Sequence, residues 1–393
     1  MNDTYEEQVD EVGISGGGGG VGGSSASNQH RYYSAGDLMD EKSKKRVSRG
    51  FIAIAAFVIL VIALGLLALL ILSIALYWTR ANKHLYPNPE YSQSTDYMHF
   101  VVVGDQGRGN DAQKTVAASM GKYCESSASI GKACQFVIGV GDNIYDNGVT
   151  DMYDQQFKTK FEDIYGTIDG LKDLKWYMML GNHDYRLNPE AQIQYSQINP
   201  RWIMPDYFYS FEKISTQGGF NVSFVVTDTN PFVKSYFSKS VMNQTALNNR
   251  KVNNTDQLTM IESIMEKNYK NPNKWTLVFG HHPVYSTGVH YDTPELLASY
   301  EPIFDRYKLP LYMSGHDHLL NWLSNPKLPY TQYVISGGGA GNTKPILYNA
   351  NSLNEWNDSG FFSIEIQYSF IFARAFDKNG KELWKFRIDK PTY

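Results

Sequence analysis

Cysteine is scarce: the 393 residues include only two, Cys124 and Cys134. At most one disulfide can form within the chain, and its two partners are ten residues apart. Net charge is also small, with 36 Lys and Arg against 40 Asp and Glu, for a formal −4. The only basic run is Lys42, Lys44, Lys45, Arg46 and Arg49. The chain therefore has no electrostatic footprint for nucleic acid, and no such partner is expected. Charge is missing altogether from residues 51–77, which begin at Phe51 and end at Tyr77.

As a helix, that apolar stretch would be about 40 Å long. This is enough to cross a hydrocarbon core of about 30 Å with some tilt. It is too long, and follows too long a polar segment, for a cleaved signal peptide. The five cations before it outnumber Arg80 and Lys83 after it. The positive-inside rule then predicts a single-pass type II protein, with a cytosolic N-terminus and the rest lumenal or extracellular, at the cell surface or in an acidic endomembrane compartment. The sequons at Asn221, Asn243, Asn253 and Asn357 all fall on the lumenal side, as expected of a glycoprotein. Both cysteines do too, and a Cys124–Cys134 disulfide suits an oxidising compartment.

The predicted organisation is a disordered tail over 1–50, a signal anchor over 51–78, a stalk over 79–97 and a globular domain over 98–393. The tail carries five consecutive glycines, Gly16 to Gly20, and cannot pack a core. Within the domain, the patterns predict strands at 98–103, 135–140 and 176–180, with helices at 107–121 and 153–165 between them. Strands at 207–211 and 220–227 follow. Residues 231–252 read as a polar surface insertion. Beyond them come a helix at 255–269, a strand at 275–279, a helix at 294–307 and a strand at 309–313. Strands at 333–336, 360–367, 371–376 and 383–387 then form a β-rich second half. The fold class expected is α/β, with two packed mixed sheets flanked by helices.

Five short apolar runs end in glycine and then in a residue able to hold a metal. They are Val101-Val102-Val103-Gly104-Asp105, Val140-Gly141-Asp142-Asn143-Ile144-Tyr145, Leu180-Gly181-Asn182-His183-Asp184, Val278-Phe279-Gly280-His281 and Met313-Ser314-Gly315-His316-Asp317-His318. Strand ends of this kind open onto the ligand crevice of an α/β sheet. Glycine permits the sharp exit and a close backbone approach. Two Asp, one Tyr, one Asn and three His give seven donors, enough for two ions about 3.5–4 Å apart that share one carboxylate.

These five blocks resemble the signature of the purple acid phosphatases, in particular the small tartrate-resistant acid phosphatase type. The likeness continues through Arg201-Trp202, Met204-Pro205, Tyr207-Phe208-Tyr209, Tyr333-Val334-Ile335-Ser336-Gly337 and Phe376-Asp377-Lys378-Asn379-Gly380, and so covers residues 98–387. The resemblance implies that Asp105, Tyr145 and His318 hold Fe(III). Asn182, His281 and His316 would hold a divalent ion (Fe, Zn or Mn), with Asp142 bridging. The donor chemistry agrees, because a phenolate is a hard anionic ligand and two imidazoles with an amide oxygen suit a borderline divalent ion. The family also implies hydrolysis of phosphate monoesters by direct attack of a metal-activated hydroxide, with His183 and His290 orienting phosphate and protonating the leaving group. His282 adjoins a ligand and is expected to shape the pocket. Two other readings remain: a catalytically silent membrane scaffold of the same fold, and a nucleotidase or phosphodiesterase with two divalent ions.

Overall fold

The computed structural model describes residues 54, 56–73, 94–251, 254–341 and 344–391. The expected tail over 1–50, most of the stalk and the Asn253 sequon lie outside them. The chain divides into two units, residues 1–77 and 78–393. In the first, Ala56–Ser73 is a helix of mean hydropathy 3.1, none of it buried, and long and apolar enough to cross a membrane.

The second unit has two seven-stranded sheets. One has the order β14-β13-β12-β1-β2-β3-β4, the other β11-β9-β10-β8-β7-β6-β5. In the first sheet, β1 (Met98–Val103), β2 (Phe136–Gly139), β3 (Lys175–Met178) and β4 (Trp202–Ile203) run parallel. In the second, β5 (Tyr209–Ile214) pairs antiparallel with β6 (Asn221–Val226), while β6, β7 (Lys274–Phe279), β8 (Leu311–Ser314) and β10 (Gln332–Ser336) are parallel. Strands β9 (Leu320–Ser324) and β11 (Ser352–Trp356) complete it.

Period-two alternation decides the layers. Met98, Phe100 and Val102 of β1 point between the sheets, where they meet Phe224, Leu277 and Met313 of the second sheet. Val101 and Val103 point the other way, into a core with Val116 and Met120 of helix α1 (Asp111–Ser129). A third core packs the outer face of the second sheet against Ile261 and Met265 of a helix at Asn254–Asn268. The result is helix, sheet, sheet, helix, with every central strand covered on both faces, so the strands read as continuous apolar runs.

The β-rich second half is shared between the two sheets. Strands β12 (Gly360–Ile366), β13 (Phe370–Asp377) and β14 (Glu382–Asp389) join the N-terminal sheet through antiparallel pairing of β12 with β1. Helix α1 runs through Gly121 to Ser129 instead of ending there, because a Cβ at Gly121 would lie 2.2 Å from Ile168: that glycine is a packing point. The expected helix at 153–165 contains a wide turn at Lys158–Glu162. The one at 294–307 breaks at Tyr300 into Pro294–Ser299 and Glu301–Arg306, where Pro302 has no N–H to continue the ladder. Strands β4, β9 and β11 were not expected from the patterns.

Cys124 and Cys134 form the disulfide, closing the end of α1 onto the approach to β2. Of the sequons, Asn357 is exposed. Asn221 lies within β6, and Asn243 accepts the Ala246 N–H at 3.0 Å, at the start of the helix Gln244–Lys251.

Candidate metal centre

Both sheets present the carboxyl ends of their parallel strands to one place. Asp105 follows β1, Asp142 follows β2, and Asn182 and His183 follow β3; from the other sheet, His281 follows β7, and His316 and His318 follow β8. Backbone bonds stitch the ends together: Gly104 N–H donates to Ser336 O at 2.8 Å, Asp105 N–H to Gly141 O at 2.9 Å and Gly315 N–H to His281 O at 3.0 Å. The glycines are needed for contact. A Cβ on Gly181 would sit 2.2 Å from Asp142 Oδ1, and one on Gly141, at φ +90°, would sit 2.5 Å from the His281 ring. Asp105, Asp142 and His316 themselves adopt φ of +59°, +53° and +71°. Non-glycine residues pay for this region in strain, which concentrates at functional sites.

Three side chains converge on the Tyr145 hydroxyl. It lies 3.0 Å from Asp105 Oδ1, 2.9 Å from Asp142 Oδ2 and 3.0 Å from His318 Nε2. His318 Nε2 is in turn 3.5 Å from Asp105 Oδ1. On the other side of Asp142, its Oδ1 is 3.5 Å from His281 Nε2, which is 3.2 Å from Asn182 Oδ1. The His281 and His316 rings are 5.1 Å apart. All seven residues singled out by the glycine pattern are thus brought together, with Asp142 between the two groups.

The fit to metal can be judged from the donors. A phenol carries one proton and can satisfy only one acceptor, yet two buried carboxylates and an imidazole nitrogen surround this one. Two carboxylates 1% exposed, with no cation between them, would be costly. Burial, then Asp105 and Asp142, push the Tyr145 phenol well above its ordinary value. A strong Lewis acid at this point resolves both problems. His281 donates Nδ1–H to Val140 O at 2.9 Å, which leaves Nε2 bare for a ligand bond. Burial would lower its pKa, but Asp142 and Asp105 raise it overall. Burial and the neighbouring His282 hold His316 well below the usual range, and hence neutral.

His282 shapes the pocket: its Nδ1 is 2.7 Å from Thr229 Oγ1 and its Nε2 2.7 Å from the Tyr236 hydroxyl, so both nitrogens are engaged. His183 and His290 flank the centre. His183 donates Nδ1–H to Asp146 O at 2.5 Å, and its Nε2 is 4.0 Å from Asp142 Oδ2. Burial lowers its pKa. The His290 ring is 4.3 Å from that of His316.

Two contributors escaped the sequence reading. Asp317 accepts His290 Nδ1–H at 2.7 Å and Ser286 Oγ–H at 2.5 Å, orienting His290. Asp184 accepts backbone N–H bonds from Asn143, Ile144 and Gly181 at 2.8–3.1 Å, clamping the Asp142 and Asn182 loops together. Both lie inside the quoted blocks, directly beside a named histidine, and that adjacency was the available signal. Residues 231–252 contribute too, at the place where the family resemblance implies a variable loop near the active site. Phe232, Tyr236, Met242 and Leu247 are buried, and the segment walls a cleft of about 510 Å³ beside Asn182, His183, His290 and His316. It is not a polar surface insertion; its apolar residues follow neither a strand nor a helix period.

Residues 98–320 match the family model for calcineurin-like phosphoesterases. Purple acid phosphatase 4 of Arabidopsis thaliana is 35% identical over 315 residues, spanning 77% of this chain and 86% of the relative. The chain belongs to the purple acid phosphatase family. Tartrate-resistant acid phosphatase type 5 of Homo sapiens is 29% identical over 308 residues, 76% of this chain and 92% of the relative. The fold is shared with GAP50, the anchor in the inner membrane complex of Plasmodium (TM-score 0.64, 20% identity, 76% of this chain and 90% of that one). It is also shared with purple acid phosphatase PPD1 from yellow lupin (TM-score 0.54, 15% identity, 76% and 55%). The family uses a dinuclear metal centre, and this chain is a phosphoric monoester hydrolase with His and Asp groups able to hold metal.

Proposed function

We propose that this is a membrane-anchored acid phosphatase with an Fe(III)–M(II) centre. Asp105, Tyr145 and His318 hold the trivalent ion, Asn182, His281 and His316 the divalent one (Fe, Zn or Mn), and Asp142 is shared. The observation that carries the reading is the Tyr145 hydroxyl within 3.0 Å of two carboxylates and an imidazole, an environment that disfavours phenolate unless a hard, highly charged cation is present. When bound, the ions supply water activation at acid pH and neutralise charge on the phosphoryl group. His183 is tethered through Nδ1 to Asp146 O, its Nε2 accepts from Arg186 at 3.1 Å and lies 4.0 Å from Asp142 Oδ2, and the His183–Arg186 pair orients phosphate. His290, with Nδ1–H held by Asp317, delivers a proton from Nε2 to the leaving oxygen.

The apolar helix supports an anchor over 51–78, with residues 1–50 cytosolic, 79–97 a stalk and 98–393 a catalytic domain that is lumenal or extracellular and glycosylated. The disulfide is consistent with that side of the membrane. Metal analysis with a visible spectrum tests the chemistry. Two metals per chain, an absorption band lost in Tyr145→Phe and turnover of an aryl phosphate at acid pH are expected. Turnover with two divalent ions and no band would make the protein a di-divalent phosphoesterase; two metals without turnover would make it a scaffold. Protease protection in sealed vesicles tests the orientation.

A further inference from the structure

The charged residues lining the cleft beside the metal centre, two cations and two acids, are partnered differently. The cations are Arg186 and Lys239. Arg186 donates to two neutral acceptors, Asp146 O at 3.1 Å and His183 Nε2 at 3.1 Å, while its Nε is buried without a hydrogen-bond partner. Lys239, on the 231–252 segment, is exposed, with its Nζ 4.8 Å from the centre of the Tyr236 ring. Neither forms an ion pair with a carboxylate among the described residues. Asp292 and Glu295, in the same lining, have donors from the protein. Asp292 Oδ1 accepts Ser286 N–H at 2.9 Å and Asn349 Nδ2–H at 2.8 Å, and Glu295 Oε1 accepts Lys234 N–H at 3.1 Å. The acids accept hydrogen bonds that tie loops together, whereas neither cation has an anionic partner among the described residues.

Arg186 is also close to the chemistry. Its guanidinium touches His183 Nε2, which is 4.0 Å from Asp142 Oδ2. A phosphate held at the centre leaves its organic part in the cleft, against Arg186 and Lys239. We propose, resting on the phosphatase reading above, that the preferred substrate is an organic phosphate monoester bearing a second anionic group on a short tether. Arg186 and Lys239 are the specificity-determining residues, and the 231–252 segment carries the second of them. Guanidinium and ammonium groups bind a phosphate or carboxylate through charge-assisted hydrogen bonds, and a partly enclosed cleft screens them less than open water.

The test compares propyl phosphate with propane-1,3-diyl bisphosphate on the metal-loaded protein. In parallel, calorimetry compares the non-hydrolysable propylphosphonate and propane-1,3-diyl bisphosphonate. Wild type is expected to favour the doubly anionic member of each pair by about tenfold or more, the size of one charge-assisted contact. Lys239→Glu should abolish that preference in both assays, and Glu295→Gln should increase it. Lys239→Met and Arg186→Met should each reduce it, with Arg186→Met also lowering kcat through His183. Equal kcat/KM and equal affinity within each pair in wild type, or a preference that survives Lys239→Glu, overturns the proposal. Turnover without discrimination sinks this inference alone. Discrimination between the phosphonates without turnover of either ester sinks the phosphatase reading and leaves the two-anion site standing.

Discussion

Two clusters of buried polar side chains lie along β1, and they are satisfied in opposite ways. At its carboxyl end, Asp105, Asp142 and Tyr145 gather acidic groups; the Arg108 guanidinium lies 3.8 Å from the centre of the Tyr145 ring but pairs with Asp146, so neither buried carboxylate has a Lys or Arg partner among the described residues. On its outer face, His99 stands opposite Glu365 of β12 in register. Lys132 Nζ donates to Glu365 Oε1 at 2.9 Å and to Ser94 O at 2.6 Å; the His99 ring is 2.7 Å from Lys132 O and 2.8 Å from Ser363 Oγ. The second cluster is closed, each charge answered by a neighbour. The first is open, and its imbalance is what a metal answers. Burial by itself therefore does not mark a functional site; burial with uncompensated charge, on strained backbone, does.

The contrast can be broken from either side. Asp142→Asn removes the shared carboxylate, so phosphatase turnover should fall by about 10³-fold and bound metal below two per chain, while the urea midpoint of the metal-free protein holds or rises. Glu365→Leu should do the reverse. It strands Lys132 and costs about 3–5 kcal/mol in urea unfolding, with metal content intact, and adding Lys132→Met should recover most of the loss.

Acid should separate the two clusters further. Burial holds His99 down to about 4 against an ordinary 6.5. Between those values the unfolded chain binds more protons than the folded one, so stability falls as pH drops from 6.5 toward 4, by about 3 kcal/mol in all. His99→Gln should flatten that limb of the pH–stability profile, measured by thermal unfolding. The smallest effect belongs to Asp317→Asn. It leaves all the metal ligands in place but frees His290 to turn, which should lower kcat about 10–100-fold and shift the pH–rate profile.

Most of the proposed site was legible before the fold was known, because its pattern is local. Each proposed ligand follows an apolar run and a glycine, and the close contacts at Gly141 and Gly181 explain why no larger residue stands there. What escaped was non-local or aperiodic. Asp317 orients His290 from 27 residues away, and Asp184 ties its own loop to Asn143, 41 residues away. Tyr236 reaches His282 from a segment without periodicity. Ser352–Trp356 is a half-exposed, bulged edge strand whose polar sequence resembles a loop.

The amino-acid sequence by itself determined the seven donors, their order, the parallel strands that deliver them and the apolar stretch near the N-terminus, since period, punctuation and donor type are properties of neighbouring residues. Only the tertiary structure decided that β12 to β14 return to pair with β1, that the two sheets point their ligand-bearing ends at one spot, and that Arg186 and Lys239 face the resulting cleft without carboxylate partners. Those outcomes depend on which apolar faces find each other across more than two hundred residues of chain, and no local pattern encodes that pairing.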